Sequence, residues 1–140
     1  MPAISILPVL GLAVLGACTI TGSPDPAPDP TSEGATLFQQ NCAVCHGENG
    51  AGNGPQASAL PLAPANLRRL AAANGGVFPA ESVMATIYGY RGKDYQGLMP
   101  EFGPLLQSPD VIWAAPDGRQ IATPSALVAL TQYLETLQDI

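Results

Sequence analysis

The segment Cys42-Ala43-Val44-Cys45-His46 brings two thiols and an imidazole together at a spacing that suits covalent attachment of a porphyrin. On one helical turn, the two intervening residues place both sulfurs at the same edge of the ring, where each thiol can add to a vinyl group and form a thioether. His46 follows directly and would lie beneath the ring, with a nitrogen available to the iron. C-x-x-C-H is the attachment signature of c-type haem, so the motif predicts one covalently bound haem c.

Three other sites use the same residues and account for them less well. A thioredoxin-like dithiol requires a surrounding βαβ pattern, and none precedes this motif. A structural zinc site requires four well-spread ligands, whereas this sequence has one histidine and only one further cysteine, Cys18. A disulfide between Cys42 and Cys45 leaves His46 without a role.

The balance of acidic and basic residues restricts the binding partners that this protein can attract. The 140 residues include 11 acidic and five basic side chains, which gives a net charge of -6. This balance argues against nucleic acid and against attraction to anionic membrane surfaces.

An apolar run over residues 4–15 precedes these features. Proline and glycine interrupt the run, and it is too short for a bilayer span. It therefore predicts a signal peptide over residues 1–17, although the Lys or Arg that is typical before the apolar part is missing.

The segment Leu15-Gly16-Ala17-Cys18 resembles a bacterial lipoprotein lipobox, in which the cysteine becomes the lipid-bearing first residue. An unpaired cysteine in an exported chain requires an explanation, and lipidation of Cys18 provides one. We therefore expect a lipid-anchored protein on the periplasmic side of a bacterial membrane. The alternative is a soluble periplasmic protein in which Cys18 is free.

Residues 18–32 are expected to form a tether, because proline occupies every second position from Pro24 to Pro30. This alternation favours extended polyproline II structure over helix or central strand. A disordered spacer is the alternative. Residues 33–140 then form one compact domain with a single core.

Three helices are expected in this domain. The first runs from about Glu33 into the haem motif and is capped by Asp29, Thr31 or Ser32. The next spans Pro79 to Tyr88 and ends at a glycine. The last begins with Thr123 as N-cap and Pro124 as its first helical residue.

The first and last helices present complementary faces. Leu127, Leu130, Leu134 and Leu137 form an apolar stripe on the last helix, widened by Ala126 and Tyr133. In the first helix, Gly34 and Phe38 share a face four residues apart. We expect these two faces to pack, with the glycine allowing close approach and the aromatic rings in contact.

Taken together, these motifs resemble a class I c-type cytochrome over nearly all of residues 33–140. The segments that carry the resemblance are Gly34-x-x-x-Phe38, Cys42-x-x-Cys45-His46-Gly47, Ile87-Tyr88-Gly89, Leu98-Met99-Pro100 and Tyr133-Leu134. The resemblance implies an all-α fold, with three or more helices around one covalent haem and the terminal helices crossing at Gly34. It also implies that the activity is electron transfer between protein redox partners.

The resemblance extends to the second axial ligand of the iron. Met1 would be removed with the signal peptide, and core packing explains Met84 within the predicted helix from Pro79 to Tyr88. Met99 lies in a loop before Pro100, which fixes the backbone that presents the sulfur. By similarity to the Met-Pro motif of the family, Met99 is expected to be the ligand opposite His46, with Met84 or an open site as alternatives.

The resemblance also implies that a backbone carbonyl from a downstream proline orients the proximal imidazole. Pro55 and Pro64 both fit this role, with Pro55 preferred. Nearby glycines are expected to let the backbone bend tightly past the haem, or else to be loop filler: Gly47, Gly50, Gly52 and Gly54.

Residues 107–121 depart from the compact family pattern. Val111-Ile112-Trp113 and Gln120-Ile121 flank the turn signal Asp117-Gly118, which predicts a small hairpin before the last helix. Trp113 is expected to be a core plug for this insertion, with a docking surface as the alternative.

Two functions are consistent with these features. The leading one is a periplasmic carrier of single electrons between redox partners. The alternative is a haem-bearing subunit of a membrane-associated dehydrogenase or reductase complex. A gas sensor or peroxidase would require a vacant iron face, and a Met99 ligand argues against that.

Overall fold

The computed structural model describes residues 29–89 and 99–139, and within these ranges the chain is mostly helical with one two-stranded hairpin. The predicted signal peptide, Cys18 and residues 18–28 of the predicted tether lie outside the described residues. The α-helices are α1 Pro30–Asn41, α2 Ala43–His46, α3 Leu70–Ala73, α4 Ala80–Tyr88 and α5 Ser125–Thr136. Single turns of 3-10 helix cover Ala57–Ala59, Leu67–Arg69 and Gly103–Leu105, and the strands are β1 Asp110–Ala114 and β2 Gln120–Pro124.

Helix α1 begins at Pro30, earlier than the predicted start at about Glu33. Proline suits the first helical position because its fixed φ angle is already helical and its missing N–H is not needed there. The carbonyl of Asp29 accepts hydrogen bonds from the amides of Ser32 and Glu33, at 2.9 and 3.1 Å. Asp29 is thus the N-cap, but its side chain accepts no capping hydrogen bond from the described residues.

Helices α1 and α5 cross at Gly34, as predicted. A Cβ atom at Gly34 would lie 2.1 Å from the carbonyl oxygen of Ala129 and 2.8 Å from Cβ of Tyr133. One turn further, the rings of Phe38 and Tyr133 pack with centroids 5.4 Å apart and planes tilted by 49°. Because the backbones touch at this point, only glycine fits position 34 without separating the two helices.

The predicted start of α5 is wrong by one residue. Thr123 belongs to β2, where its hydroxyl donates to the carbonyl of Ile121 at 3.1 Å. Pro124 pairs with Asp110 across the hairpin and has an extended ψ of 129°, so the helix begins at the residue after it.

The first amides of α5 bond to partners from the segment before the hairpin. The Ala126 amide donates to the hydroxyl of Ser108 at 3.0 Å. The Ser125 amide donates to the carbonyl of Pro109, also at 3.0 Å. A chain segment distant in sequence thus satisfies the donors that an N-cap side chain would otherwise satisfy.

The apolar stripe of α5 lies at the centre of the core, which confirms that prediction. Leu127, Leu130 and Leu134 are buried, and Leu137 packs at the edge. Helices α1, α2 and α4 and the segment before the hairpin complete the core with Phe38, Ala43, Met84, Ile87 and Leu106. Helix α4 ends as predicted at Gly89, whose φ of 100° is a left-handed conformation that favours glycine.

The predicted hairpin is present. Strands β1 and β2 are antiparallel, and Trp113 lies opposite Ile121. Trp113 is half-buried and packs against the core, so it serves as the predicted plug. Ile112 points to the other face of the hairpin and is 65% exposed.

An ion pair joins the hairpin to α4. The Arg119 guanidinium lies 2.7 Å from the carboxylate of Glu81 and 2.6 Å from that of Asp117. The hydrogen bond from the Arg119 side chain lowers the pKa of Asp117 below its usual value. These groups are exposed, so the pairs fix the orientation of the hairpin turn more than they add to the free energy of unfolding.

Candidate haem site

Helix α1 leads directly into the C-x-x-C-H motif through a sharp turn at Cys42. The carbonyl of Cys42 accepts hydrogen bonds from the amides of Cys45 and His46, at 3.1 and 2.9 Å. These bonds close one helical turn, so the two cysteines lie one turn apart as the attachment chemistry requires. Both residues are half-buried free thiols.

The Cys42 thiol is held in its neutral form. Burial, with a smaller contribution from the neighbouring Cys45, raises its pKa to about 11. Reactive dithiols of the thioredoxin type have lowered pKa values, because the thiolate is the nucleophile. The environment of Cys42 therefore argues against a dithiol redox centre.

The His46 imidazole is oriented by a single backbone contact. Its Nδ1 lies 3.0 Å from the carbonyl oxygen of Ala65. Because a carbonyl oxygen can only accept a hydrogen bond, Nδ1 carries a proton, and in the neutral imidazole Nε2 then holds the lone pair. Nε2 is thus the nitrogen available to a metal, in the tautomer that histidine ligands adopt when a neighbouring carbonyl fixes the ring.

The predicted partner of this imidazole is wrong. The resemblance implies a proline carbonyl, with Pro55 preferred over Pro64, whereas the observed acceptor is the residue that follows Pro64. The approach of Gly52 explains part of this arrangement. A Cβ at Gly52 would lie 2.5 Å from the Pro64 oxygen and 3.3 Å from the Ala65 oxygen, so the glycine loop lies directly against this stretch of backbone.

The glycines after the motif permit close approach to the backbone of the motif itself. The Gly52 amide donates to the carbonyl of His46 at 2.7 Å, and the Gly54 amide donates to that of Cys45 at 3.0 Å. A Cβ at Gly54 would lie 2.6 Å from the carbonyl oxygens of Ala43 and Val44. The loop therefore folds back onto α2 and holds the turn that carries both thiols and the imidazole.

The two methionines of the described ranges have different environments. Met84 lies within α4, is 5% exposed and belongs to the central core. Met99 lies outside the helices, is half-buried and packs at the edge of the same core, directly before Pro100. Leu98, which belongs to the predicted Met-Pro motif, lies outside the described residues.

The segment after Met99 is anchored to the end of α4. The Phe102 amide donates to the carbonyl of Ile87 at 2.9 Å. A Cβ at Gly103 would lie 2.8 Å from the carbonyl oxygen of Tyr88, so the two backbones are in close contact here as well. This anchoring restricts where Met99 can lie relative to the core.

These residues fit a covalent haem. Two free thiols share one turn, an imidazole presents an unprotonated Nε2, and a methionine and an apolar core complete the set of groups that a c-type haem uses. Across residues 29–89 and 99–139, no group of three or more His, Cys, Asp or Glu side chains is placed to hold a metal ion by itself. Within the same ranges, none of the helices has the length and apolar character needed to cross a membrane.

An all-α domain whose terminal helices cross beside a C-x-x-C-H turn is a haem-binding electron-transfer domain. Comparison with protein families agrees, because the Cytochrome c family model matches residues 31–138. The chain therefore belongs to the cytochrome c family, and this confirms the predicted c-type cytochrome and its fold. Family membership implies covalently bound haem c and a role in electron transfer.

One curated relative gives a more specific similarity. The Cbb3-type cytochrome c oxidase subunit FixP of Azorhizobium caulinodans is 34% identical to this chain over 105 residues. The matched region makes up 75% of this chain and 26% of the relative. The chain thus corresponds to about a quarter of that protein.

Proposed function

We propose that this protein is a periplasmic, lipid-anchored monohaem cytochrome that passes single electrons between protein redox partners. The observation that carries the proposal is the geometry of His46, whose Nδ1 is bonded to the Ala65 carbonyl while Nε2 is left for iron. This contact orients the ring directly beside the two thiols of the motif. The C-x-x-C-H turn accounts for all three residues at once.

Each site residue has a role in this proposal. Cys42 and Cys45 would form the two thioethers to the haem, and His46 and Met99 would ligate its iron. The bound haem would supply an iron that alternates between the ferrous and ferric states. The glycine loop and α4 fix the backbone that carries the ligands. The apolar core would limit the access of water to the haem, and burial is one of the ways in which a protein sets a haem reduction potential.

The first test of this proposal is the number of haems bound per chain and the number of electrons that each chain transfers. The sequence contains one C-x-x-C-H segment, so we expect one covalent haem per chain and a reversible one-electron titration. Measurement of haem content against protein, followed by spectroelectrochemistry, checks both. A chain without covalent haem, or a multi-electron titration, would contradict the proposal.

The second candidate function is that of a haem-bearing subunit held permanently in a membrane-associated dehydrogenase or reductase complex. The similarity to a protein named as a subunit of a cytochrome c oxidase favours it. Affinity isolation of the protein from native membranes distinguishes the two functions. A large partner recovered in stoichiometric amount would favour the subunit, whereas recovery of the cytochrome alone would favour the carrier.

The proposed anchor at Cys18 gives a separate prediction. Cys18→Ser should release the protein from membranes into the soluble periplasm and leave the haem spectrum unchanged, because the proline-rich segment separates the anchor from the folded domain. Fractionation with haem staining of each fraction is the measurement. A single acyl chain binds membranes only marginally, so full lipoprotein modification is implied. Mass spectrometry that finds an unmodified Cys18 in the wild-type protein would remove the anchor from the proposal.

A further inference from the structure

The residues that follow α5 are hydrogen-bonded to residues 67–71. This segment begins two residues after Ala65, whose carbonyl contacts the His46 imidazole. Gln138 is at the centre of this contact. Its Oε1 accepts a hydrogen bond from the Ala71 amide at 2.9 Å, and its Nε2 donates to the carbonyl of Leu67 at 2.8 Å. The same Nε2 donates to the carbonyl of Leu134 within α5, at 2.7 Å. One side-chain amide thus joins the last turn of α5 to both ends of the segment 67–71.

Other contacts hold the same segment in register. The Leu67 amide donates to the carbonyl of Gly50 at 2.8 Å, which ties the segment to the glycine loop. The Asp139 amide donates to the carbonyl of Arg68 at 2.9 Å, and the Asp139 carboxylate pairs with the Arg68 guanidinium. That ion pair is partly exposed, so we expect it to contribute less than the amide network of Gln138.

The segment begins two residues after the carbonyl that orients the imidazole. Ala65 accepts from His46, and Leu67 is bonded to both Gly50 and Gln138. Only one residue separates the Leu67 backbone from the Ala65 carbonyl, so a shift of the first has a short path to the second. We propose that Gln138 is a positioning residue for the His46 imidazole, acting through the Leu67 backbone on the Ala65 carbonyl. This inference rests on the proposed ligation of haem iron by His46.

The expected consequence concerns the basicity of the ligand. A carbonyl that accepts the Nδ1 proton increases electron density on the imidazole and makes Nε2 a stronger donor. A stronger donor favours the ferric state. Loss of the Gln138 network should lengthen or misalign the bond between Nδ1 and the Ala65 carbonyl, so the reduction potential should rise and the Nδ1 proton should exchange faster with water.

The test uses Gln138→Met in the haem-loaded protein, because methionine has a similar length and no charge but cannot replace these hydrogen bonds. The readouts are the reduction potential and the NMR exchange rate of the His46 Nδ1 proton in the ferrous protein. We expect a higher potential and faster exchange than in the wild type. The matched control is Gln132→Gly, which weakens α5 at an exposed position away from the segment. The control should lower thermal stability while leaving the potential and the exchange rate at their wild-type values.

The outcomes separate this inference from the proposed function. A Gln138→Met protein with covalent haem but wild-type potential and exchange rate would show that Gln138 only stabilises the fold, and would overturn the inference alone. Equal changes of potential and exchange rate in Gln132→Gly would overturn it as well. Should Gln138→Met fail to fold, Gln138→Asn keeps a neutral amide on a side chain too short to make all three hydrogen bonds, and it should give smaller changes in the same direction. A wild-type protein without covalent haem would overturn the proposed function, and this inference with it.

Discussion

Replacement of both Cys42 and Cys45 by serine should abolish covalently bound haem, and either single replacement should reduce it. In the proposed site each thiol would form one thioether, and a serine hydroxyl would not replace it. The two residues lie on one turn that the glycine loop holds in place, so the remaining cysteine of a single variant stays positioned to form its own bond. Haem staining after denaturing electrophoresis measures the covalent fraction, because haem that is only ligated is lost under these conditions.

The third cysteine is the control for this experiment. Cys18→Ser removes a thiol outside the motif and should leave the haem stain per protein unchanged. Retention of covalent haem in the Cys42→Ser, Cys45→Ser double variant would exclude the motif as the attachment site. The proposal for covalent haem attachment would then fail, and with it the proposed roles of His46 and Met99 at the iron of that haem.

Features that depend on local spacing were predictable from the sequence. The stripe Leu127, Leu130 and Leu134 has helical period, and the structure buries all three. Gly34 and Phe38 lie on one face of α1 for the same reason, and their contact with α5 follows from two apolar faces that must cover each other. The hairpin was visible because a turn signal separates two runs with strand-forming residues.

Features that depend on the path of the chain were not predictable. Ser108 accepts the Ala126 amide because the hairpin returns the chain beside its own starting point, and local spacing does not encode that return. Thr123 matches an N-cap pattern, yet pairing within the hairpin extends the strand through Pro124 and displaces the start of α5.

The prediction for the partner of His46 failed for a related reason. Gly52 lies against the carbonyls of both Pro64 and Ala65, so tertiary packing contributes to which carbonyl reaches the imidazole. A proline in the sequence indicates the neighbourhood of the acceptor, but not which carbonyl of that neighbourhood points at the ring. The Ala65 carbonyl lies one residue beyond Pro64, the less favoured of the two candidates.

The second axial ligand is the part of the site for which two residues of the same type compete. Met84 is buried in the same core cluster as Ile87, Leu106 and Leu127, where a thioether fills space and needs no further role. Met99 packs only at the edge of that core, on a segment that the Phe102 amide ties to α4. A methionine ligand must turn its sulfur toward the iron. A loop residue before a proline can do so without leaving a cavity in the core.

Met99→Ala should therefore change the ligation of the iron, whereas Met84→Ala should lower the stability of the folded protein. The ferric wild-type protein should show the weak near-infrared band of a sulfur-to-iron bond. Met99→Ala should lose the band, fall in reduction potential and bind cyanide readily, because the thioether that raises the potential and closes that face of the haem is gone. Absorption spectroscopy, potentiometry and cyanide titration measure these changes.

Met84→Ala is the matched control for this prediction, because it removes the same side chain from a position that is 5% exposed. It should keep the band and the potential, and it should lower the free energy of unfolding by about 2 to 5 kcal/mol through the cavity that it leaves. Loss of the band in Met84→Ala with its retention in Met99→Ala would reverse the ligand assignment. A wild-type protein that lacks the band and binds cyanide rapidly would have an open iron face, and catalysis or gas sensing would then explain the site better than electron transfer.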